Sequence, residues 1–393
     1  MTQVLVINAG SSSLKYAVVD SGSGARMVAG IVERIGEATS TISHEPACGA
    51  AGEQTQTPVP DHDAAFAEVR RRLDVVGVHH PGVVGHRVVH GGDSFTRPTL
   101  IDRDVIAAIQ DCVPLAPLHN PAGLSGIGAA MRTFPGVPQV AVFDTAFHTT
   151  IPADARTYAI DREVAGKHRL HRYGFHGTSH QYVSQRAAEF LQIPLDRMRA
   201  VTMHLGNGAS ACAVAGGRSV ETSMGVTPLE GLVMGTRSGD IDPSIPVILG
   251  RECWSADDID SMLNHKSGLL GLCGVNDMRE VHRRAESGDK DADLARRVSA
   301  HRIRKYLGAY VFTLGGVDAI VFTAGIGEHD PWIRATVCAG LKSQGIELDP
   351  VANEGGSGIR DISAKRAPVR ALVVPTDEEH AIAEQSAEVL AMS

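Results

Sequence analysis

The run Val4-Leu5-Val6-Ile7-Asn8-Ala9-Gly10-Ser11-Ser12-Ser13-Leu14-Lys15-Tyr16-Ala17-Val18-Val19 reads as a β-hairpin. Residues 4–7 form a continuous apolar strand, residues 8–13 a turn of small hydrogen-bonding residues, and residues 14–19 the return strand. The turn carries an amide and three hydroxyls, and Lys15 beside it is one of only seven lysines. Backbone and hydroxyl donors in a tight turn can wrap phosphate oxygens, and a lysine adds a point charge. The plain alternative is a serine-rich hairpin loop.

A second pair of the same layout lies further along, with residues 200–204 and 210–215 around Gly206-Asn207-Gly208. The residues hardly match the first pair. What they share is an apolar strand, a small-residue turn and another apolar strand near the start of each half. Two copies of one sheet unit would set two phosphate-sized turns across a cleft, a position that ligands favour. Between the pairs, residues 36–62 are poor in large apolar side chains and read as an exposed edge or loop. Residues 63–73 have helical spacing, and Arg70-Arg71-Arg72 suits a helix C-terminus. Residues 83–89 read as a buried strand. Asp102 caps a helix to about residue 110, and Asn120-Pro121 caps another to about residue 131. Strands at 139–143, 319–323 and 371–374 alternate with helices at 179–191 and 291–313, which predicts a parallel or mixed sheet with helical layers. Residues 324–328 read as a turn into a helix near Pro331, and Thr376-Asp377-Glu378-Glu379 opens a terminal helix.

The 393 residues suggest two or more domains. With 43% apolar and 21% charged residues, the composition is that of a soluble globular protein. A net charge of −8, from 37 basic against 45 acidic side chains, argues against non-specific nucleic-acid binding. No apolar run approaches the ~20 residues of a membrane helix. The apolar run at the N-terminus follows no basic residues, so it is no signal peptide. Six scattered cysteines without a CxxC exclude a zinc ribbon and disfavour a disulfide framework, so the expected compartment is a reducing cytosol.

Polar and ionisable groups concentrate beside the strands. Arg87 lies between His86 and Val88, with His90 close by, and Asp144 follows the strand at 139–143. Tyr173-Gly174-Phe175-His176-Gly177-Thr178-Ser179-His180 leads into a helix, and Arg237 sits between Gly235 and Gly239. Active sites of open α/β sheets collect at the carboxyl ends of strands. Two arginines, a carboxylate, a histidine and two phosphate-sized turns suggest phosphoryl transfer, whose catalysis is mostly positioning and charge neutralisation. No G-x-x-x-x-G-K-S/T run is present, which excludes a P-loop. Gly206-x-Gly208-x-x-Ala211 fits a relaxed dinucleotide fingerprint, but strand rather than helix follows it. Blander readings stand beside these. His176 and His180, at i and i+4, have the spacing of a zinc pair but lack an intervening glutamate. Asp144 could cap a turn through Thr145. Glu378 and Glu379 could complete a capping box with Thr376. Asn120 is explained as an N-cap, which leaves His119 the more informative neighbour.

Taken together, these segments identify a family. Residues 4–16 resemble the first signature of acetate kinases, and Arg172 through His180 resemble the second. So do Gly-His-Arg-Val-Val-His-Gly-Gly at 85–92, Ala-Pro-Leu-His-Asn-Pro at 116–121 and Phe-Asp-Thr-Ala-Phe-His at 143–148. His-Leu-Gly-Asn-Gly at 204–208, Gly-Thr-Arg-Ser-Gly-Asp-Ile-Asp-Pro at 235–243 and Thr-Ala-Gly-Ile-Gly-Glu at 323–328 complete the match. The resemblance implies an α/β fold of two domains with duplicated ribonuclease H-like, actin-type ATPase topology and a cleft between them. The first domain would be 1–148 plus 377–393, and the second, 149–376, would bind nucleotide and form a homodimer.

The resemblance also implies roles. Asn8 and Glu378 would hold magnesium (or manganese), with Asp144 near the same ion and the substrate. Arg87 and Arg237 would bind the carboxylate and the transferring phosphoryl group, which His176 would hydrogen-bond in the transition state. His119 would line the substrate site, and Val89, Leu118, Phe175 and Pro228 would surround the acetate methyl. Lys15, His204, Leu205, Gly206, Asn207, Gly208, Asp277, Met278, Arg279, Gly325, Ile326, Gly327, Glu328 and His329 would contact ATP or ADP. Two departures bear on this: the family usually has Asn at the positions of His329 and Asp377. The first touches nucleotide preference. The second is either an extra carboxylate beside the metal or a better helix cap. The expected reaction is reversible phosphoryl transfer between ATP and acetate, giving acetyl phosphate. A propionate kinase of the same family and a non-catalytic actin- or chaperone-type nucleotide switch are the rivals.

Overall fold

The computed structural model describes residues 2–46 and 52–392. The chain divides into two compact units, Met1–Thr149 with Asp377–Ser393, and Thr150–Thr376.

The first unit holds β1 (Gln3–Ala9), β2 (Ser13–Asp20), β3 (Arg26–Glu33), β4 (Ser40–Pro46), β5 (Glu53–Thr57), β6 (Val83–Val88), β7 (Thr99–Leu100) and β8 (Gln139–Phe143). They form one sheet in the order β5-β4-β3-β2-β1-β6-β8-β7. The opening hairpin is antiparallel, with Asn8 opposite Lys15. β1, β6 and β8 run parallel, with Ile7 beside His86 and Val88 beside Phe143. Their carboxyl ends therefore share one edge, where Asn8, Arg87 and Asp144 lie. The β1 run is unbroken by polar residues because both faces are covered. Leu5 and Ile7 pack with Phe66, Val69 and Leu73 of the helix His62–Val75, and with Ala129, Ala130 and the C-cap Phe134 of the helix Asn120–Thr133. Val4 and Val6 pack on the other face, with Ile382 and Ala383 of the helix Glu378–Met392. That last helix approaches β6 closely. A Cβ on Gly85 would stand 2.4 Å from Ser386 Oγ, so only glycine fits there.

The second unit holds β9 (Arg199–Leu205), β10 (Ala209–Ala215), β11 (Arg218–Thr222), β12 (Ala319–Thr323), β13 (Arg360–Asp361) and β14 (Arg370–Val373), in the order β11-β10-β9-β12-β14-β13. β9, β12 and β14 are parallel, and the others pair antiparallel. The run β3-β2-β1-β6-β8-β7 has the same order and the same strand senses. The faint sequence repeat is thus a duplicated sheet, and the fold is the doubled ribonuclease H-like architecture. The helix Gly177–Leu191 covers one face of the second sheet through Val183, Ala187 and Ala188, which pack on Ala200, Val321 and Leu372. The helix Lys290–Thr313 lies against β9 and β10.

The stretch 36–62 contains β4 and β5, a polar edge hairpin of the first sheet, which agrees with its reading as an exposed edge, with residues 47–51 outside the described residues. Two local expectations are corrected. Residues 324–328 belong to a short helix, Ala324–His329, entered through Ala324 at φ 63°. Asn120 is not an N-cap. His119 holds that position, and the Asn120 amide is buried, accepting from His90 N–H at 3.2 Å and donating to the His90 carbonyl at 3.0 Å. It braces the turn after β6 instead.

Candidate active site

At the carboxyl edge of the first sheet, Arg87 donates Nε and Nη2 to the two oxygens of Asp144, at 2.9 and 2.7 Å. Its Nη1 lies 3.7 Å from Glu378 Oε2. Burial pushes the Asp144 carboxyl above the usual range, and the Arg87 guanidinium pulls against that. Burial also works against the Arg87 charge, but Asp144 and Glu378 outweigh it and hold its proton more tightly. Asp144 is therefore no turn cap: Thr145 Oγ1 accepts from Gly91 N–H instead. Nor does Thr376 form a capping box. The Asp377 carboxylate accepts from His380 N–H at 2.9 Å, and Glu379 pairs with Arg26 at 3.3 Å. Val89 is partly buried just after β6, while Leu118 is 50% exposed. His119 is partly buried, and Lys15 is exposed on β2.

In the second unit, His176 sits at φ 56° at the N-cap of the helix Gly177–Leu191. Its Nδ1 is 2.9 Å from Ser210 Oγ, and its ring stacks on His204 at 4.2 Å. Ser179 Oγ holds His204 Nδ1 at 2.8 Å and Thr376 Oγ1 at 2.9 Å. Both nitrogens of His180 face hydroxyls, Thr202 Oγ1 and Ser210 Oγ, each at 2.7 Å. This removes the zinc-pair reading of His176 and His180. Arg237 Nη1 donates to the Pro228 carbonyl at 3.2 Å and touches the Met234 sulfur at 3.9 Å. Among the described residues it has no carboxylate partner, and burial lowers its proton affinity. Gly208 lies beside both groups. A Cβ built there would stand 3.5 Å from His176 Nε2 and 3.9 Å from Arg237 Nη1. Phe175 is fully buried immediately before His176.

A cavity of about 730 Å³ opens in the same unit. Gly206, Asn207, Asp277, Met278, Arg279, Gly325, Ile326 and His329 line it. His204, Leu205, Gly208, Gly327 and Glu328 do not, although they flank it in the chain. Buried Arg334 fixes the short helix there by donating to the Gly327 and Glu328 carbonyls at 2.9 and 3.0 Å. Asp277 caps the helix Met278–Glu286 and pairs with Arg279 at 2.5 Å, which draws its carboxyl down to about 2. Sequence reasoning missed His282 and Trp332 on the cavity wall. His282 Nε2 meets Asp330 at 2.7 Å, and Arg296 lies 4.5 Å from the Trp332 ring centre. No spacing in the sequence links these two residues.

A family model described as the Acetokinase family matches residues 3–384. The chain belongs to the acetokinase family. It is 54% identical over 397 residues to the acetate kinase of Leifsonia xyli subsp. xyli, with 100% of each covered. The acetate kinase structure from Porphyromonas gingivalis matches at TM-score 0.94 and 41% identity, covering 99% of this chain and 100% of that one. A propionate kinase structure from Francisella tularensis subsp. tularensis SCHU S4 matches at TM-score 0.94 and 40% identity, with the same coverage.

An acetokinase is a phosphotransferase with a carboxyl acceptor, which sets aside the non-catalytic switch, and the family implies ATP and a divalent metal ion. The first unit fits such an ion. Asp144 and Glu378 bring two carboxylates to the guanidinium of Arg87, and carboxylate oxygens are the hard donors such an ion takes. The Asp377 departure is resolved locally, since its carboxylate caps the terminal helix. His329 is exposed on the cavity lining, so that departure does bear on the cavity. Among the described residues no helix is long and apolar enough to cross a membrane.

Proposed function

We propose that this acetokinase is an acetate kinase that transfers the ATP γ-phosphoryl group reversibly to acetate. The carrying observation is Arg237, a partly buried guanidinium without an acid partner among the described residues. Its Nη1 and His176 Nε2 both approach Gly208, 3.9 and 3.5 Å from where a Cβ would stand. A desolvated charge of this kind calls for an anion, and a transferring phosphoryl group supplies one.

Acetate is already ionised at neutral pH, because carboxylic pKa values lie near ~4. It needs no general base. A carboxylate oxygen bonds to the γ-phosphorus as the bond to the β,γ-bridging oxygen breaks, and that electron pair leaves with ADP. The obstacle is repulsion between two anions. Arg87 grips the acceptor carboxylate and Arg237 the phosphoryl oxygens, since a planar fork holds two oxygens at once. His176 hydrogen-bonds the group in flight. Asp144 orients Arg87 and the metal site rather than moving a proton. Magnesium, or manganese, held by Asn8 and Glu378 near Asp144, would supply further charge neutralisation when bound.

The second unit's cavity takes the nucleotide, with Gly206, Asn207, Asp277, Met278, Arg279, Gly325, Ile326 and His329 around it; His204, Leu205, Gly208, Gly327 and Glu328 assist from the same unit. Lys15 of the first unit is proposed to meet the nucleotide, and the acyl group is proposed to meet His119, Val89 and Leu118 of the first unit and Phe175 and Pro228 of the second. The helix Ser244–Arg251 buries none of its residues and exposes Val247 and Ile248, which favours a homodimer through the second unit. Five free cysteines among the described residues suit a cytoplasmic protein.

A hydroxamate assay with acetate, propionate and butyrate tests the reading. We expect acetyl phosphate to form, with kcat/KM highest for acetate. One methylene is worth only ~1–3 kcal/mol in an apolar pocket, so propionate is expected to be a slower substrate. A higher kcat/KM for propionate would make the protein a propionate kinase, the activity named for its Francisella structural relative. No acyl phosphate from any of the three would overturn the assignment.

A further inference from the structure

The wall of the second unit's cavity divides by chemistry. Gly206, Asn207 and Gly325 bring backbone and a side-chain amide to it. Gly206 is two residues from Gly208, the glycine that His176 and Arg237 approach, so this part of the wall suits phosphates. Met278, His282 and Trp332 bring a thioether and rings instead, and Trp332 is the largest flat side chain of the lining.

Trp332 lies in the first turn of the helix Pro331–Cys338, and a circuit of side chains braces its ring. Asp330 caps that helix, with Oδ1 accepting from Ile333 N–H at 3.0 Å, and its Oδ2 lies 2.7 Å from His282 Nε2. Arg296 Nη1 lies 3.4 Å from His282 Nδ1, while its Nε and Nη2 donate to Asp293 Oδ1 at 3.0 and 2.8 Å. The guanidinium held in this way stands 4.5 Å from the Trp332 ring centre. The His282 ring meets the indole edge-on, at 65° and 5.2 Å between centres. Asp330, His282 and Arg296 are largely buried, yet Trp332 itself is only partly buried and lines the cavity. A ring fixed in advance loses little freedom when a flat partner arrives, and affinity gains from that pre-organisation. Every nucleobase has a face to stack, and a two-ring indole overlaps a purine more fully than a pyrimidine.

We propose that Trp332, braced by Arg296 and His282, is the surface on which the nucleotide base stacks, and that it makes purine nucleotides the preferred phosphoryl donors. The donor role rests on the kinase reading above; the stacking of a base does not. Trp332 touches no reacting atom in this role. It contributes affinity for the nucleotide and selects among bases, and the chemical step proceeds without it.

The chain has two tryptophans, and the other, Trp254, is 44% exposed between the helices Ser244–Arg251 and Ala256–His265. Trp254→Phe therefore leaves Trp332 as the sole indole with the cavity wall intact. In that protein ADP should quench the tryptophan emission, and inorganic pyrophosphate, which carries the phosphates without a base, should not. In steady-state assays Trp332→Ala should raise KM for ATP by about tenfold or more. Its kcat and its KM for acetate should stay near wild type, the pattern of lost uniform binding. Trp332→Phe, which keeps a stacking face, should recover most of the loss, and Trp332→Leu should not. Wild-type kcat/KM should be higher for ATP and GTP than for CTP and UTP. Emission indifferent to ADP, or changed equally by ADP and pyrophosphate, would overturn the stacking surface. So would a wild-type KM for ATP in Trp332→Ala, or recovery by Trp332→Leu equal to that by Trp332→Phe. Equal kcat/KM for the four triphosphates would overturn the purine preference. Quenching by ADP alone in a protein that forms no acyl phosphate would instead overturn the kinase reading and leave the stacking surface standing.

Discussion

The arginines of the two units are held in opposite ways. Arg87 arrives with its counter-charges, gripped by Asp144 through two hydrogen bonds and flanked by Glu378. Arg237 has only a backbone carbonyl and a thioether. Burial disfavours both charges, but acids outweigh it at Arg87 alone, so the two proton affinities shift in opposite directions. The guanidinium of the first unit meets its counter-charges within the fold. The other is left for a ligand to complete, which is the arrangement expected of a group whose work begins when negative charge comes near.

That contrast breaks most readily at Arg237. Arg237→Ala should lower kcat by on the order of 10³-fold, by analogy with arginine fingers. It leaves no acid stranded, so the melting temperature should hardly move. Near-normal turnover in a steady-state assay would end the argument for this residue. Arg87→Ala should behave differently. It strands the buried Asp144 carboxylate, and losing one partner of a buried pair costs about 3–5 kcal/mol. Denaturant unfolding should show that loss, and Arg87→Ala with Asp144→Asn should recover part of it.

A smaller effect sharpens the same comparison through His86, the neighbour of Arg87. Burial pulls this imidazole down to about 4, against the hydrogen bond from its ring to Gln139 at 2.8 Å. The folded state holds it neutral, while the unfolded chain protonates near ~6.5. Its contribution is present above that value and is lost as pH falls from about 6.5 toward 4, on the order of 3 kcal/mol in all. Unfolding of His86→Gln should be measurably less acid-sensitive over that window. The smallest effect is expected at Asp377. Asparagine caps a helix as well as aspartate does, so Asp377→Asn should change stability by less than about 0.5 kcal/mol. A large change in metal affinity in that variant would return Asp377 to the metal site.

Much of this architecture is legible in the amino-acid sequence. Apolar runs at 4–7, 139–143 and 319–323 suit only buried strands, and each is one. The small-residue turns after β1 and β9 mark the repeat. Three readings fail where a side chain finds a distant partner. Asn120 looks like a cap beside Pro121, but its amide crosses to His90, thirty residues away. Thr376 and Glu379 have capping-box spacing, yet Thr376 bonds Ser179, 197 residues distant. His180 has zinc spacing, yet hydroxyls from β9 and β10 occupy both its nitrogens. Local spacing carries no information about partners that arrive from other strands.

Periodicity, turn chemistry and motif order were enough to establish the strands, the doubling and the family, because those depend on neighbours in the chain. Which charges are neutralised and which are left open depended on folding. Asp144 reaches Arg87 only because β6 and β8 lie side by side, and Ser210 reaches two histidines only because β10 pairs with β9, on which the helix that follows His176 and holds His180 packs. Electrostatic energy falls off with distance through space, and linear sequence does not record that distance.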